Sequence, residues 1–318
     1  MSWRSVVIAN PAALTLEDRA LRIRQEGREA RVMLEDIGVL VLDHPQISLT
    51  APLLAACAQA QIAVITVDDS HLPNGVLLPY LPHSRALKVM TAQLALRQPA
   101  RKRLWQRLVQ FKIDNQAAVL AKHTHPAAAR RLARLSEETR SGDPDNCEAQ
   151  AAQVYFRALI HPSFGRLQSR FYNAALNYSY AVVRAALARS LVGYGFLPAF
   201  GLFHHNEQNA FNLADDLIEP YRPFVDAHVL KHYPQEPDRE LAPQDKGQLV
   251  AILHDDVTLS SHMAGDGRCT LLAAMEATVS GLSGIVLNDA PHERLALPRL
   301  QHALDPSSIG RNDEDDVA

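Results

Sequence analysis

The 318-residue sequence lacks most of the motifs that mark common enzyme classes. Its three cysteines are widely separated and form no CxxC pair, which excludes a cysteine zinc site and favours a reducing compartment. It has no GxGxxG or GxxxxGK[ST] loop for nucleotide phosphates and no HExxH motif of zinc hydrolases. The first residues carry too short an apolar run for a signal peptide, and we expect no segment of membrane-spanning length. These absences favour a cytoplasmic protein that does not enter a membrane.

The charge is small overall but unevenly distributed. The net charge is −3, yet residues 85–140, here called the basic segment, contain thirteen Lys and Arg against three Asp and Glu. A local positive field of this kind attracts a polyanion such as DNA, although a solvated helical face rich in arginine would read the same way. Four acidic residues lie among the last seven positions, which we expect to be disordered.

Hydropathy patterns divide the chain into two parts. Residues 1–82 contain short β-like runs and one alanine-rich helix, whereas residues 83–300 follow a helical period and read as all-helical. The predicted strands are 3–9, 20–24, 30–34, 38–42, 62–67 and 76–80. Three prolines at 73, 79 and 82 indicate a linker between the parts. The sequence therefore predicts an α+β protein with a small β-rich part, a larger helical part and a disordered acidic tail at 301–318.

An unusual group of ionisable residues lies at 201–223, with two histidines, four carboxylates and an arginine beside apolar positions. Buried charges are costly unless they are paired or bind a metal. Asp216 and Glu219 share one helix face, but His204 lies fifteen residues earlier, which is about 22 Å along a straight helix. A common metal site therefore requires a chain break, for which the HHNEQN stretch is suited, with Asn212 as a possible cap of the following helix.

A further acid follows the turn sequence SGDPDN. Asp145 or Asn146 is the expected cap of the next helix, which places Glu148 in its first turn. A carboxylate there is favoured by the helix dipole, so Glu148 is either a third metal ligand or a residue that merely stabilises the helix start.

Four stretches carry a family resemblance: LEDIGVLVLDHPQISLT (34–50), DPDNCEAQAAQVYF (143–156), NAALNYSYAVV (173–183) and FGLFHHNEQNAFNLADDLIEPYRPFVD (200–226). With them the sequence resembles the CRISPR adaptation integrases, most closely their type II branch. The resemblance implies an N-terminal β-sandwich that dimerises and a helical catalytic domain. It also implies a metal site of Glu148, His204 and Glu219, with Asp216 in the second acidic position. The GLxH spacing selects His204, and its neighbour His205 is the lesser candidate.

The implied chemistry is the insertion of protospacer DNA into a repeat array. Two carboxylates and an imidazole leave open positions on Mg²⁺ or Mn²⁺, and such an ion would orient a DNA 3′-hydroxyl for attack on a scissile phosphate. The resemblance further implies a homodimer, protospacer and leader-repeat DNA, a small ferredoxin-like partner and an RNA-guided effector nuclease. A non-catalytic DNA-binding scaffold of the same fold is the alternative, and a hydrolase for a small phosphoester is a weaker one.

Several other residues are candidate DNA contacts: Arg101, Lys102, Arg103, Asn173, Tyr178 and Arg222. The three at 101–103 belong to the basic segment, which would contact the phosphate backbone. Asn173 and Tyr178 lie on the helix that the family places near the active site, although helix packing explains Tyr178 equally well. Arg222 either anchors a phosphate or pairs with Asp226 one helical turn later.

Overall fold

The computed structural model describes residues 4–69, 72–80, 83–123, 125–159, 170–235, 237, 239–260 and 267–300. The predicted acidic tail at 301–318 lies outside these residues. Among its described residues, the first part of the chain contains one α-helix, α1 (Ala51–Gln59), between its sixth and seventh strands. The strands are β1 (Arg4–Ile8), β2 (Ala12–Glu17), β3 (Ala20–Gln25), β4 (Arg28–Met33), β5 (Ile37–Leu42), β6 (Ile47–Leu49), β7 (Ala63–Val67) and β8 (Pro73–Leu77).

These strands form two sheets. In the first sheet, of order β1-β5-β7-β8, the strands β1, β5 and β7 are parallel and β8 is antiparallel. In the second, of order β4-β3-β2-β6, a meander of β2, β3 and β4 is joined by β6 in parallel. Asp18 and Arg19 both have positive φ, as the tight turn from β2 to β3 requires. The sequence patterns missed β2 and β6, because β2 begins with alanines, which have little β propensity, and β6 is very short.

The two sheets and α1 share one hydrophobic core. Leu14 and Leu21 of the second sheet lie in the same buried cluster as Leu40 and Val64 of the first and Leu53 of α1. The opposite face of the first sheet packs into the core of the helical part. Strand β5 is therefore buried on both faces, which explains its continuous apolar sequence. The prediction of an α+β fold with a sandwich-like N-terminal part is confirmed.

The second part of the chain is mainly helical. Its helices are α2 (Ala86–Leu94), α3 (Gln98–Lys122), α4 (Pro126–Glu138), α5 (Cys147–Leu159), α6 (Arg170–Gly193), α7 (Asn212–Ile218), α8 (Arg222–His232), α9 (Pro243–Val250) and α10 (Leu271–Asn288). The long helices α3 and α6 carry much of its buried core. Asp43, after β5, forms a buried ion pair with Lys246 of α9, with 2.8 Å between Oδ2 and Nζ, so charge as well as apolar contact joins the two parts.

The prediction that residues 83–300 are all-helical is wrong. Strands β9 (Asp256–Ser260), β10 (Gly267–Thr270) and β11 (Leu297–Arg299) form an antiparallel sheet of order β10-β9-β11. Each strand is short, and β11 pairs with a strand far back in the sequence, so local periodicity could not reveal it. Pro73 also begins β8 rather than a linker; it lies on an edge strand, where a missing N–H is tolerated.

Helix α10 contradicts the expectation that no segment has membrane-spanning length. Its 18 residues have a mean hydropathy of 1.4, so by length and composition alone this helix could span a membrane. Its apolar residues, including Leu272, Met275 and Val279, are buried in the core of the helical part. Packing inside the protein thus accounts for its apolar character.

Candidate metal centre

Glu148 lies in the first turn of α5, as predicted, but a different residue caps the helix. The carboxylate of Asp143 accepts hydrogen bonds from the backbone N–H groups of Cys147 (2.8 Å) and Glu148 (3.0 Å). Asn146 has positive φ, which turns the chain so that Asp143 reaches past it. The proposed cap Asp145 instead forms an exposed ion pair with Arg140. The Asp143 cap fixes the backbone from which the Glu148 side chain extends.

The predicted break before α7 is present. Residues 200–211, here called the histidine loop, contain no regular helix and wrap around the carboxylate of Asp216. Asp216 is fully buried and accepts hydrogen bonds from the backbone N–H groups of Leu202 (2.5 Å), Phe203 (3.1 Å) and His204 (3.0 Å). A Cβ atom at Gly201 would lie 2.3 Å from the His204 carbonyl oxygen and 2.7 Å from Asp216 Oδ2. The glycine of the GLxH motif is therefore required for this close approach.

Asn212 holds the same loop but does not cap α7, contrary to the sequence prediction. Phe211 occupies the cap position without a capping hydrogen bond from its side chain. The Asn212 amide instead donates to the carbonyl groups of Ala199, Asn206 and Asn209. It therefore ties together backbone segments of the loop.

The two adjacent histidines have different environments. His204 Nδ1 lies 2.7 Å from Asp216 Oδ1, and its Nε2 has no hydrogen-bond partner among the described residues. The His204 ring also packs edge-on against buried Trp105, with 5.6 Å between centroids. His205 is exposed, and its Nδ1 contacts the Phe203 carbonyl oxygen at 2.7 Å. A carboxylate on one nitrogen and a free second nitrogen is the usual arrangement of a metal-ligating histidine, so the structure favours His204 over His205.

Glu148 and Glu219 are brought together from separate elements by a lysine. Glu219 begins the 3₁₀ turn Glu219–Tyr221 between α7 and α8. Lys112 of α3 places its Nζ 2.6 Å from Glu148 Oε1 and 2.5 Å from Glu219 Oε2. In the sequence, Lys112 is one of the thirteen basic residues of the basic segment. Its position between Phe111 and Ile113, both buried, was the signal that it faces inward.

Arg222 contacts the other oxygen of Glu219. Its Nε lies 2.8 Å from Glu219 Oε1, and its guanidinium lies over the ring of Tyr180 at 5.0 Å from the centroid. The ion pair of Arg222 is with Glu219, whereas the Asp226 carboxylate accepts hydrogen bonds from the hydroxyls of Tyr155 and Tyr180 and acts on Arg222 as a nearby charge. Arg222 therefore lies at the centre itself.

These contacts set the protonation of the site. Burial alone would raise the pKa of Glu219, but the charges of Lys112 and Arg222 outweigh it and hold this pKa below its usual value. Burial likewise opposes the charged form of Lys112, yet Glu219 and Glu148 keep the pKa of this lysine above its usual value. The hydrogen bond with Asp216 raises the pKa of His204, against an opposing effect of burial. Glu219 and Lys112 are thus both held in their charged forms.

The fit of a divalent cation depends on Lys112. Within the described part of the chain, no three His, Cys, Asp or Glu side chains are grouped to hold a metal ion. The Lys112 ammonium instead contacts both glutamates. Glu219 Oε2 is buried, and its contact among the described residues is the Lys112 ammonium at 2.5 Å. Two carboxylates whose oxygens converge on one point and a histidine fixed by Asp216 are a donor set that suits Mg²⁺ or Mn²⁺.

The remaining candidate DNA contacts differ in how exposed their side chains are. Tyr178 is fully buried, and burial raises the pKa of its hydroxyl far above the usual value, so its assignment as a DNA contact is wrong. Asn173 is half-buried on α6. Lys102 and Arg103 are exposed in the first turns of α3, whereas Arg101 is half-buried and donates from Nε to the Leu96 carbonyl oxygen. Lys102 and Arg103 are therefore the members of this group that are open to a ligand.

Comparisons with known proteins agree with this architecture. Residues 6–237 match the family model described as CRISPR associated protein Cas1. The CRISPR-associated endonuclease Cas1 of Neisseria meningitidis serogroup C (strain 8013) is 44% identical over 301 residues, covering 94% of this chain and 97% of the relative.

Two solved structures share the fold at low sequence identity. A casposase bound to an integration product superposes with a TM-score of 0.71 at 16% identity, covering 91% of this chain and 92% of that one. A chain of a Cas6-RT-Cas1–Cas2 complex superposes with a TM-score of 0.70 at 18% identity, covering 96% of this chain and 36% of that one. The family match, the Neisseria relative and the shared architecture lead to one conclusion: the chain belongs to the Cas1 family of CRISPR-associated proteins.

Proposed function

We propose that this protein is a metal-dependent DNA endonuclease and integrase of CRISPR adaptation, of the type II branch. It would join the 3′-hydroxyl ends of protospacer DNA to the repeat array by transesterification. The observation that carries the proposal is the convergence of Glu148 and Glu219 on Lys112 Nζ. Asp216 and, to a smaller extent, Glu219 raise the pKa of His204, so this histidine is within electrostatic reach of the same acids. The name of the Neisseria relative, an endonuclease, and the integration product bound by the casposase support the same reaction class.

Glu148, Glu219 and His204 Nε2 would hold the ion. When bound, Mg²⁺ or Mn²⁺ supplies Lewis-acid activation of a phosphodiester and orientation of the attacking hydroxyl. Asp216 keeps the proton of His204 on Nδ1, so that Nε2 can act as a ligand. Arg222, one-third exposed beside Glu219, provides a fixed positive charge for a scissile phosphate. Transesterification exchanges one phosphodiester for another and needs no nucleotide, in agreement with the missing phosphate-binding loop.

DNA is the proposed main partner. Exposed Lys102 and Arg103 would contact its phosphates, with Asn173 as a further candidate contact. We further propose a homodimer formed through the β-rich part, a small ferredoxin-like partner, cooperation with an RNA-guided effector nuclease and a cytoplasmic location. The Cas6-RT-Cas1–Cas2 complex among the structural neighbours supports assembly with a second protein of the adaptation system.

The test is strand transfer into a supercoiled plasmid that carries the repeat. We expect Glu148→Ala, His204→Ala and Glu219→Ala each to abolish transfer with Mg²⁺ or Mn²⁺, because each removes a donor that stabilises the transition state. His205→Ala is the matched control and should retain most activity, because His205 is exposed and its Nδ1 contacts the Phe203 carbonyl oxygen rather than an acid.

Two outcomes would count against the proposal. If His205→Ala is inactive and His204→Ala is active, the histidine assignment is wrong by one residue. If all four variants integrate normally while duplex binding is retained, the acids are structural and the protein is the non-catalytic scaffold.

A further inference from the structure

Lys112 is an unusual residue for a centre that is expected to bind a cation. It lies in the middle of α3 with only 8% of its surface exposed, and its ammonium contacts the two acids proposed as metal ligands. A buried lysine needs opposite charge to remain ionised, and Glu148 and Glu219 provide it. The contact is therefore a specific part of the fold.

The same two acids need the lysine when no metal is bound. Two carboxylates that share a site repel each other unless a positive charge lies between them. Arg222 neutralises part of this charge, but of the two glutamates it is in contact only with Glu219 in the described part of the chain. Only Lys112, among the described residues, is seen in contact with both glutamates. Its positive charge thus offsets the repulsion between the two carboxylates.

A metal and this ammonium compete for one position. A divalent ion held by both carboxylates would need an oxygen of each. Lys112 Nζ already lies 2.6 and 2.5 Å from those oxygens, so a dication placed between them would be in contact with the ammonium. Like charges at contact distance in a buried site are strongly unfavourable.

We propose that Lys112 is the resident counter-ion of the unloaded centre, and that a divalent cation binds only by displacing its ammonium from Glu148 and Glu219. This inference rests on the proposed function of the same centre. Displacement leaves a positive charge, tethered to α3, beside the newly bound ion. A centre that changes in this way gains positive charge on loading, which favours the approach of a DNA phosphate.

The test is a titration of the full-length protein with Mn²⁺ by isothermal titration calorimetry, without DNA. Lys112→Met removes the ammonium and keeps a flexible side chain of similar length. Because the metal no longer has to displace a cation, we expect the dissociation constant to fall at least about tenfold. The matched control is Lys122→Met, at the exposed end of the same helix, which should leave the dissociation constant unchanged. Glu148→Gln should weaken binding.

Thermal unfolding provides a second readout. Without metal, Lys112→Met should melt below the wild-type protein, because the two carboxylates are no longer neutralised. Saturating Mn²⁺ should raise its melting temperature by more than it raises that of the wild type. Lys112→Gln, which keeps an amide donor for the carboxylates, replaces the methionine variant if that variant does not fold, and the same increase in affinity is expected.

The outcomes of the Mn²⁺ titration separate the counter-ion role of Lys112 from the proposed metal centre itself. Tighter binding by the Lys112 variants supports the counter-ion role. Equal or weaker binding, with wild-type binding that depends on Glu148, overturns that role and leaves the metal centre intact. The absence of Mn²⁺ binding in both the wild type and the Lys112 variants overturns the metal centre itself.

Discussion

Replacing Asp216 by asparagine should affect both the stability and the metal affinity of the centre. In the native structure, Oδ2 accepts from the backbone N–H groups of Leu202 and Phe203, and Oδ1 accepts from the backbone and ring of His204. An asparagine keeps only one acceptor oxygen. Its NH₂ group would be best tolerated toward His204, whose ring can shift its proton from Nδ1 to Nε2 and then accept a hydrogen bond.

The size of the stability loss follows from the groups that Asp216→Asn leaves without a hydrogen-bond partner. The His204 backbone N–H would face the amide NH₂, and an unsatisfied buried N–H costs about 1–3 kcal/mol. The remaining hydrogen bonds lose the charge of the carboxylate, so we expect a total loss of about 2–4 kcal/mol in the free energy of unfolding. The shifted proton occupies the nitrogen that would bind metal, so Mn²⁺ affinity should fall about 10–100-fold.

Urea unfolding measures the change in the free energy of unfolding, and calorimetric titration with Mn²⁺ measures the change in metal affinity. The control is Glu207→Gln, the same chemical change at an exposed position of the histidine loop, which should alter stability by less than about 0.5 kcal/mol. The midpoint of Asp216→Asn should move while the slope with urea stays constant. A loss below about 1 kcal/mol together with unchanged Mn²⁺ affinity would show that the Asp216 network does not hold His204.

Three further predictions concern other regions. Charge reversal at Lys102 and Arg103 should flatten the log-log dependence of duplex binding on salt, by about 0.9 for each DNA phosphate that the variant no longer neutralises. Tyr178→Phe should leave duplex affinity unchanged in filter binding, because the buried hydroxyl cannot reach DNA. Asp245→Asn should destabilise the protein by about 1–3 kcal/mol at pH 7 in urea unfolding. A hydrogen bond from Arg239 is the main reason that the pKa of Asp245 lies below its usual value, so this stabilisation is present above the unfolded pKa and is lost as the pH falls through the folded pKa.

Each of these three predictions would be contradicted by a particular experimental result. An unchanged salt slope in a folded Lys102 and Arg103 variant would make the start of α3 a solvated face. Weaker duplex binding by Tyr178→Phe at unchanged stability would restore that residue as a DNA contact. A stability loss for Asp245→Asn that is as large at pH 2 as at pH 7 would show that its charge has no part in it.

Local sequence determined the parts of the centre that depend on short-range geometry. The turn before Glu148 and the helical period after it place this acid in a first helical turn, and the structure confirms it. The HHNEQN stretch is too polar and too rich in asparagine to continue a helix, so the break before Asp216 could also be predicted. The GLxH spacing likewise selected His204, whose ring the structure joins to Asp216.

Tertiary structure alone decided which groups meet. Lys112 is separated by 36 residues from Glu148 and belongs to a different helix from both glutamates, so no spacing in the sequence joins them. Burial of Tyr178 depends on how α6 packs against its neighbours, and its polar hydroxyl gave no sign of this in the sequence. Strand β11 likewise forms only because β9 offers it an edge. Sequence periodicity reports the neighbours of a residue along one element, whereas pairing across elements depends on the packing of the whole chain.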